Sequence, residues 1–405
     1  MAHRTLIGGT AYNISGGKSM VSGTVYNISG GRTMVGGTGY NISFGEGGSS
    51  DGEPTAMLYS DGDFVFQRGD KVESGKSLVA SYTGFEDASY STTNIPWRAQ
   101  NANIKNIRCK DEISPINMAY WFSNSVNLIN FDYTNFNTNN VTNISRAFYQ
   151  CINYIGSPRT TGIGNITDMS YAYYNCSNLT GRAAIGSKVT NASRCYYNCS
   201  NLNSSITAAA TTVTDISYAF YNCWRINGSA PSFTTAINMS NAFYNCTNLT
   251  GEPKCGYKVN HFAYAYFNCK NITGSPNCGN NVVYMNQAYY NCQNLTGPAV
   301  CGNNVKYMAY AYCNCKNIGG NAYFYSKNVS TLVNCFRGKN NYRRLNIYVP
   351  SGSTTNTTVH YTNNSSIVGA NITWTSASGY RYNTTYNIYI YPVSNVAANR
   401  AANGD

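Results

Sequence analysis

Side chains that could do chemistry are few in this 405-residue chain, of which 11% is charged and three residues are histidine. Carboxylates are the first candidates, because glycoside hydrolysis places two of them around one bond. Asp168 and Asp215 occupy the same place in two copies of a repeated motif, about 10 Å apart if each repeat rises by about 4.8 Å. Asn191 and Asn238 fill that place in neighbouring copies. We therefore interpret both Asp side chains as structural and expect no catalytic residue and no cofactor.

Fifteen cysteines could form disulfides or hold a metal. Eight of them recur about every 23 residues: Cys151, Cys176, Cys199, Cys223, Cys246, Cys269, Cys292 and Cys315. Because they share one apolar position, we expect small, buried and reduced side chains. Zinc is the alternative, since Cys195 lies close to Cys199 and Cys313 close to Cys315. No further ligands complete a set of four, so we predict no metal site.

Aromatic residues are the candidates for binding. With the recurring Cys counted as position 0, position −2 is aromatic in seven repeats, and position −5 is Tyr in four more places. The candidate surface-binding residues are Tyr149, Tyr174, Tyr197, Tyr221, Tyr244, Phe267 and Tyr290, together with Tyr171, Tyr218, Tyr264 and Tyr310. Exposed rings can stack on sugars while their hydroxyls form hydrogen bonds. The alternative is a ladder in which each ring packs on the next repeat, and we expect both to operate.

Ten repeats, the outer two with Ser125 and Lys339 at position 0, must position these side chains. Small or apolar residues at −7, −4, −3 and 0 predict one face of a short helix. Asn or Asp at −8 predicts its N-cap, and Asn at −1 its exit. Leu or Ile at +3 precedes a short extended stretch, which predicts a strand. The fold class is thus a repeat solenoid of leucine-rich-repeat type, with a short helix and a short strand per 23-residue turn.

The repeat has a recognisable sequence pattern, and NNVTNISRAFYQC at residues 139–151 is its clearest copy. This pattern resembles the BspA-like leucine-rich repeat of bacterial surface proteins and of phage-encoded proteins, over about residues 60–392. Residues 4–45 contain a second repeat, of 14 residues, marked by Tyr12, Tyr26 and Tyr40. It resembles N-terminal segments of phage structural proteins, and that resemblance implies attachment to a virion.

The remaining segments complete the expected domain organisation. Residues 1–45 predict β-hairpin repeats for attachment or oligomerisation, because hairpins of this size need a partner to bury against. The further expected segments are a linker at 46–55, a β-rich capping module at 56–113, the solenoid at 114–342, a C-terminal β cap at 343–392 and a flexible tail at 393–405.

Charge and targeting signals suggest where the chain acts. The net charge is +12, and between Glu252 and Asp405 there are twelve Lys and Arg and no carboxylate side chain. An anionic partner and plain solubility both explain this balance. The N-terminus has no apolar run typical of a signal peptide. The sequence contains no apolar segment of 18 residues, so it predicts no membrane-spanning helix.

From these features we expect a non-enzymatic virion protein of a bacteriophage, assembled in the cytoplasm of the host. It would be a tail or head fibre that displays the solenoid to a host cell-surface glycan or an anionic wall polymer. Residues 1–45 would contact other virion proteins or copies of the same chain. A bacterial surface adhesin is the main alternative and a glycan depolymerase a distant one. No nucleic-acid-binding motif is present, so no nucleic acid partner is expected.

Overall fold

The computed structural model describes six strands within residues 3–41 and then residues 52–404, except 92–93, 160, 210, 330–331, 333, 341–343, 358–369, 374–379 and 384–387. Contacts divide the chain into two compact units, residues 1–50 and 51–405. The expected linker lies mostly outside the described residues.

The first unit contains one antiparallel strand pair in each 14-residue repeat, the hairpin arrangement expected for this segment. The pairs are β1 (His3–Ile7) with β2 (Thr10–Ile14), β3 (Lys18–Val21) with β4 (Thr24–Asn27), and β5 (Arg32–Val35) with β6 (Thr38–Asn41).

The second unit begins with a β-rich module that has a 3-10 helix at Arg98–Asn103 and a five-stranded sheet. Its strands are β7 (Pro54–Tyr59), β8 (Asp63–Arg68), β9 (Leu78–Thr83), β10 (Asn106–Cys109) and β11 (Asn130–Phe131). Their order across the sheet is β11-β10-β8-β7-β9. Gly62, at φ 94°, makes the turn between β7 and β8, as the Asp-Gly pair predicts. Strand β11 belongs to the first repeat, so the sheet leads directly into the solenoid.

Each solenoid turn is built from consecutive tight turns, and the predicted helix at positions −8 to 0 is wrong. Two residues per repeat, at −5 and −1, have positive φ. In the turn of Cys176 they are Tyr171 at 57° and Asn175 at 60°. An L-residue in the left-handed region cannot continue a right-handed helix, so two such residues within five break it twice. The Asn at −1, expected to end that helix, instead has left-handed φ within a series of tight turns.

Alternating hydrogen bonds join the turns. The N–H groups at −7, −5, −3 and −1 donate to carbonyls of the following turn, whereas those at −4, −2 and 0 close tight turns within their own repeat. In the turn of Cys151, the inter-turn N···O distances from Ile144, Arg146, Phe148 and Gln150 are 3.0, 3.0, 2.8 and 2.7 Å. Main-chain groups in this segment are thus satisfied without a helix or a long strand.

Position −8, expected to cap a helix, instead forms a continuous line of single parallel bridges. The line runs through Asn117, Asn143, Asp168, Asn191, Asp215, Asn238, His261, Tyr284 and Tyr307. From Asn117 to Asn238, the side-chain oxygen at −8 accepts the N–H two residues later, at 2.7–3.0 Å. The Asx chemistry of a cap is therefore retained, but it starts a turn.

Short strands follow position +3 in only some turns, so the expected sheet is interrupted. The parallel pair β12 (Ala184–Ile185) and β13 (Thr207–Ala208) lies in the middle of the solenoid. Isolated bridges such as Ser229 with Thr250 continue the same edge. Larger strands return at the C-terminal end, with β14 (Ala299–Cys301) and β15 (Gly320–Phe324).

The core follows the repeat positions and confirms the predicted inward face. Residues at −7, −4, −3, 0 and +3 are buried through the central turns. The −3 rings stack in one column, with centroids 5.2 Å apart for Phe148 and Tyr173 and 5.3 Å for Tyr173 and Tyr196. Equivalent residues of successive turns thus stack directly on one another, as in a parallel sheet.

The eight recurring cysteines form a column of thiol donors. Each Sγ lies 2.9–3.1 Å from the main-chain oxygen of the −3 residue in the preceding turn. The same carbonyl also accepts the N–H of its own position-0 residue, as Phe148 O does from Cys151 N. The burial expected for these thiols is confirmed, and all fifteen cysteines are free in the structure. A thiol can donate only while it is protonated and reduced.

The module before the solenoid supplies donors that the first turn lacks. Carbonyls at −4 and −2 of every later turn accept N–H groups from the preceding turn, but the first turn has none before it. Trp97 Nε1 donates to Trp121 O, and Asn101 Nδ2 donates to Ser123 O, both at 2.7 Å. Two side chains therefore take the place of the main-chain donors of a missing turn, and a capping role for residues 56–113 stays a prediction.

At the C-terminal end, parallel pairing continues from β14 and β15 to β16 (Leu345–Pro350) and β20 (Ile388–Val393). The fifth strand of this sheet, β19 (Tyr380–Asn383), pairs antiparallel with β20. Three of the segments expected as cap strands form β16, β18 (Ala370–Thr373) and β20. The segment after residue 393, expected to be a flexible tail, instead forms a short helix, capped by Asn395 and with Val396 buried. The remaining elements are β17 (Thr354–Thr357) and that helix, α1 (Val396–Ala402).

Substitution of Asn268, at φ 60°, tests the left-handed turn. Ala is the better residue in a helix by about 1 kcal/mol, but it is strained by about 1–2 kcal/mol in the left-handed region, where Gly is not. We expect Asn268→Ala to lower the free energy of unfolding more than Asn268→Gly does, by about 1 kcal/mol. Both variants lose the same side-chain bonds, so urea denaturation isolates the backbone effect. A helix at this position would reverse the order.

Stability should fall at alkaline pH, because burial raises the pKa of Cys151, Cys199, Cys223, Cys246, Cys269, Cys292 and Cys315. The folded protein then keeps protons that the unfolded chain releases above about pH 8.5. Each such thiol should lower the free energy of unfolding by about 1.4 kcal/mol per pH unit from there up to its raised pKa. Urea denaturation at pH 7.5, 9.0 and 9.5 measures this slope.

Cys223→Ser is the matched control, because it keeps a hydroxyl donor near Tyr196 O but removes the thiol titration. Its slope should be shallower by about 1.4 kcal/mol per pH unit. Equal stability at all three pH values would contradict the protonated thiol column.

Candidate functional surface

The seven aromatic residues at −2 form one half-buried column along the solenoid. Successive ring centroids are 4.4–4.9 Å apart, and successive ring planes differ by 2–12°. The column runs from Tyr149 to Tyr290 and then ends, because Cys313 takes the −2 position of the next turn. The structure thus brings together all the −2 residues selected from the sequence.

Each ring of the −2 column is partly exposed. Within the column the ring faces are occupied by the neighbouring rings, which is the ladder arrangement considered from the sequence. Burial raises the pKa of Tyr174, Tyr197, Tyr221 and Tyr244. The hydroxyls therefore remain neutral near pH 7, with one donor and two lone pairs each.

A second column, at −5, lies beside the first. Tyr171 contacts two rings of the −2 column, with centroids 6.3 Å from Tyr149 and 5.6 Å from Tyr174. Tyr218 contacts its two −2 neighbours in the same way, at 6.3 and 5.7 Å, and Tyr264 is 6.1 Å from Phe267. Tyr310 is half-buried in the turn where the −2 column has ended.

Between the tyrosines of the −5 column stand residues that the sequence did not single out. The Arg146 guanidinium lies 4.4 Å from the Tyr171 ring centroid and 5.4 Å from that of Tyr120. Arg194 lies 5.3 Å from Tyr171 and 4.5 Å from Tyr218. Two cations are therefore held between three rings, an arrangement that favours guanidinium groups. The sequence contained a signal for this arrangement, because Tyr recurs at −5 in every second repeat and Arg separates the first three of these tyrosines.

An asparagine ladder at −1 borders the aromatic columns. Five consecutive Nδ2–H···Oδ1 bonds of 2.6–2.9 Å join Asn175, Asn198, Asn222, Asn245, Asn268 and Asn291. Each amide has two N–H groups and two lone pairs, and a ladder uses one of each. The ladder thus fixes the orientation of the amides and leaves further hydrogen-bonding capacity on the surface.

The carboxylates considered for glycoside hydrolysis have structural contacts. Asp168 Oδ1 accepts the N–H of Ser170, and Asp215 Oδ1 accepts that of Ser217, both at 2.8 Å. Asn191 bridges the two positions in the line of −8 residues, so the predicted separation of two turns is confirmed. The contacts are those of the Asn side chains at the same position.

Metal binding requires a cluster of ligand side chains and membrane insertion of a helix requires a long apolar segment, and the described part of the chain has neither. No group of three or more His, Cys, Asp or Glu side chains is arranged there to bind a metal ion. Among the same residues, no helix has both the length and the apolarity needed to cross a membrane.

Comparison with protein families identifies two regions. Residues 169–296 match the BspA type leucine-rich repeat region, in six copies. Residues 97–185 match a Mycoplasma protein family of unknown function, DUF285. No curated protein and no solved structure matches the chain. The repeat resemblance is therefore confirmed for the central turns, and repeats of this type are typical of non-enzymatic proteins with surface or adhesion roles.

The −5 column can be tested by exchanging a cation and an amide. Arg194→Asn removes a guanidinium held between two rings and should lower the free energy of unfolding by about 0.5–1 kcal/mol. Asn241→Arg places a guanidinium between Tyr218 and Tyr264 and should raise it by a similar amount. Asn and Arg both occupy this left-handed position in the native chain, so the backbone tolerates either. Urea denaturation measures both changes, and effects of the same sign would contradict the cation–π column.

Proposed function

We propose that this chain is a non-enzymatic attachment protein whose aromatic columns bind a polymer on a cell surface. The observation that carries the proposal is the −2 column, in which seven half-buried rings repeat at 4.4–4.9 Å. Six of these rings carry a hydroxyl, and such a row suits a ligand that is itself repetitive and has many hydroxyl or acidic groups. The surface or adhesion role typical of BspA-type repeats supports the same reading.

Positive charge near the columns supports an anionic component of the ligand. Lys270 and Lys316 are exposed at position +1 of two turns, next to the asparagine ladder. Arg146 and Arg194 add two guanidinium groups at −5. A net charge of +12 favours encounter with an anionic wall polymer, whereas the hydroxyl row suits neutral glycans.

The proposal also concerns whether a virion or a bacterial cell displays the solenoid. The resemblance that the sequence of residues 1–45 suggests to phage structural proteins is the argument for a virion fibre, in which those residues would bind other virion proteins or copies of the chain. The BspA-type repeats fit a bacterial surface protein at least as well. Mass spectrometry of purified particles and of washed cell envelopes distinguishes the two platforms.

The hydroxyl row is tested by replacing Tyr221 and Tyr244 together with Phe. Phe267 already occupies this column, so stacking and stability should be kept while two hydroxyls are removed. Binding of the full chain to sacculi from a panel of bacteria, measured by co-sedimentation, should weaken about tenfold, from two hydrogen bonds of about 0.5–1.5 kcal/mol each. Binding should also weaken at 1 M salt, where screening acts within about 3 Å.

Tyr257→Phe is the matched control, because this exposed tyrosine lies outside both columns. It should bind sacculi as the unmodified chain does. Equal binding by the double variant would remove the columns from the proposal, and no binding to any sacculi would overturn the attachment function.

A further inference from the structure

One short stretch of the surface differs from the rest of the solenoid, at position +1 of four consecutive turns. The residues at this position lie directly above one another in successive turns, since the hydroxyl of Ser177 donates to Ile152 O and that of Ser200 to Ser177 O. Ile152 and Trp224 are large and exposed, at 43% and 50% of their surface, whereas the two serines between them are small. The result is a notch of about 410 Å³, closed at both ends by an apolar side chain.

The asparagine ladder forms one wall of this notch. Asn175, Asn198 and Asn222 line it, with their amides oriented by bonds of 2.9 Å along the ladder. The remaining amide N–H groups can donate to a ligand, while the serine oxygens, which already donate to the main chain, can accept. Donors and acceptors thus stand side by side at each turn, which is the pattern that pairs with neighbouring hydroxyls of a sugar.

Trp224 provides the apolar surface that such a ligand needs. Among the described aromatic residues, none stacks on its indole ring, in contrast to the rings of both columns. An exposed indole face packs well on the C–H face of a pyranose, and its edge tolerates water. Three intervals of about 4.8 Å give the notch a length of about 14 Å, which fits a short oligosaccharide.

We propose that this notch is a binding site for a neutral oligosaccharide, with Trp224 as the stacking platform and the asparagine ladder as the hydrogen-bonding wall. The residues that line the notch carry no charge, which argues against an anionic ligand at this site. The inference deepens the proposed attachment function, because it assigns a ligand class to one place beside the aromatic columns. The two sites differ in their chemistry, and salt should weaken binding at the columns and leave binding at the notch unchanged.

The test uses the full chain and three soluble probes, chitotetraose, cellotetraose and maltotetraose, titrated by calorimetry at low and high salt. At least one probe should bind, with an affinity that salt does not change. Trp224→Ala should weaken that binding about tenfold and Trp224→Phe much less, because a ring is retained.

A second variant fills the notch and removes one hydrogen bond of the fold, from Ser200 Oγ to Ser177 O. Ser200→Gln should abolish binding of the probe, and the fold should tolerate it because Gln293 occupies the same +1 position of another turn. Thr247→Gln is the matched control, one turn beyond Trp224 and outside the notch, and should bind the probe normally. Urea denaturation of both variants checks that they are folded.

The outcomes separate this inference from the attachment function. Failure of all three probes to bind, or normal binding by both Trp224→Ala and Ser200→Gln, would overturn the notch as a glycan site, whatever the sacculi result. Probe binding that Ser200→Gln abolishes, in a chain that does not bind sacculi, would support the notch and refute the attachment proposal.

Discussion

Left-handed backbone at two positions of every repeat is the constraint on which the rest of this solenoid depends. It turns the chain so that alternate N–H groups point to the next turn, and those hydrogen bonds hold successive turns in register. Asn suits this conformation better than most residues, since its short polar side chain can bond locally. Repeated Asn at −1 is thus required first by the backbone, and the amide ladder is a consequence of the register.

Register explains why so many side chains of this protein are arranged in columns. Turns that are joined by direct hydrogen bonds place equivalent residues about 4.8 Å apart, close to the contact distance of stacked rings. The same spacing brings each thiol of the cysteine column to a carbonyl of the preceding turn, and each Asn amide at −1 to the Asn amide of the neighbouring turn. Hydrophobic, hydrogen-bonding and aromatic contacts thus all follow from one geometric repeat, so each turn adds a similar set of contacts.

The period, the buried positions and the aromatic columns could be predicted from sequence because they depend only on spacing. The helix could not be excluded in this way, since apolar residues at −7, −4, −3 and 0 have the spacing of a helical face. A useful signal was the residue types at −5 and −1, where Tyr, Arg, Asn, Gln and Gly occur and β-branched residues do not. Left-handed geometry disfavours β-branched side chains. The Arg contacts at −5 and the notch at +1 could not be predicted from sequence, because they depend on which residues of successive turns lie directly above one another.

The regularity of the columns also determines where specificity can arise. A column in which every ring covers the next has no free face, so it offers the same edge at each turn to any ligand that matches the spacing. A departure from the repeat creates a distinct shape, as when Trp224 stands in a column that has Ser200 in the preceding turn and Thr247 in the following one. Position +1 contributes no residue to the central core and no main-chain N–H to the alternating inter-turn ladder of positions −7 to −1. Substitutions at +1 can therefore change which ligand is bound without changing the core or the hydrogen bonds between turns. In such a solenoid we expect the irregular residues of exposed columns to recognise ligands, while the regular residues maintain the fold.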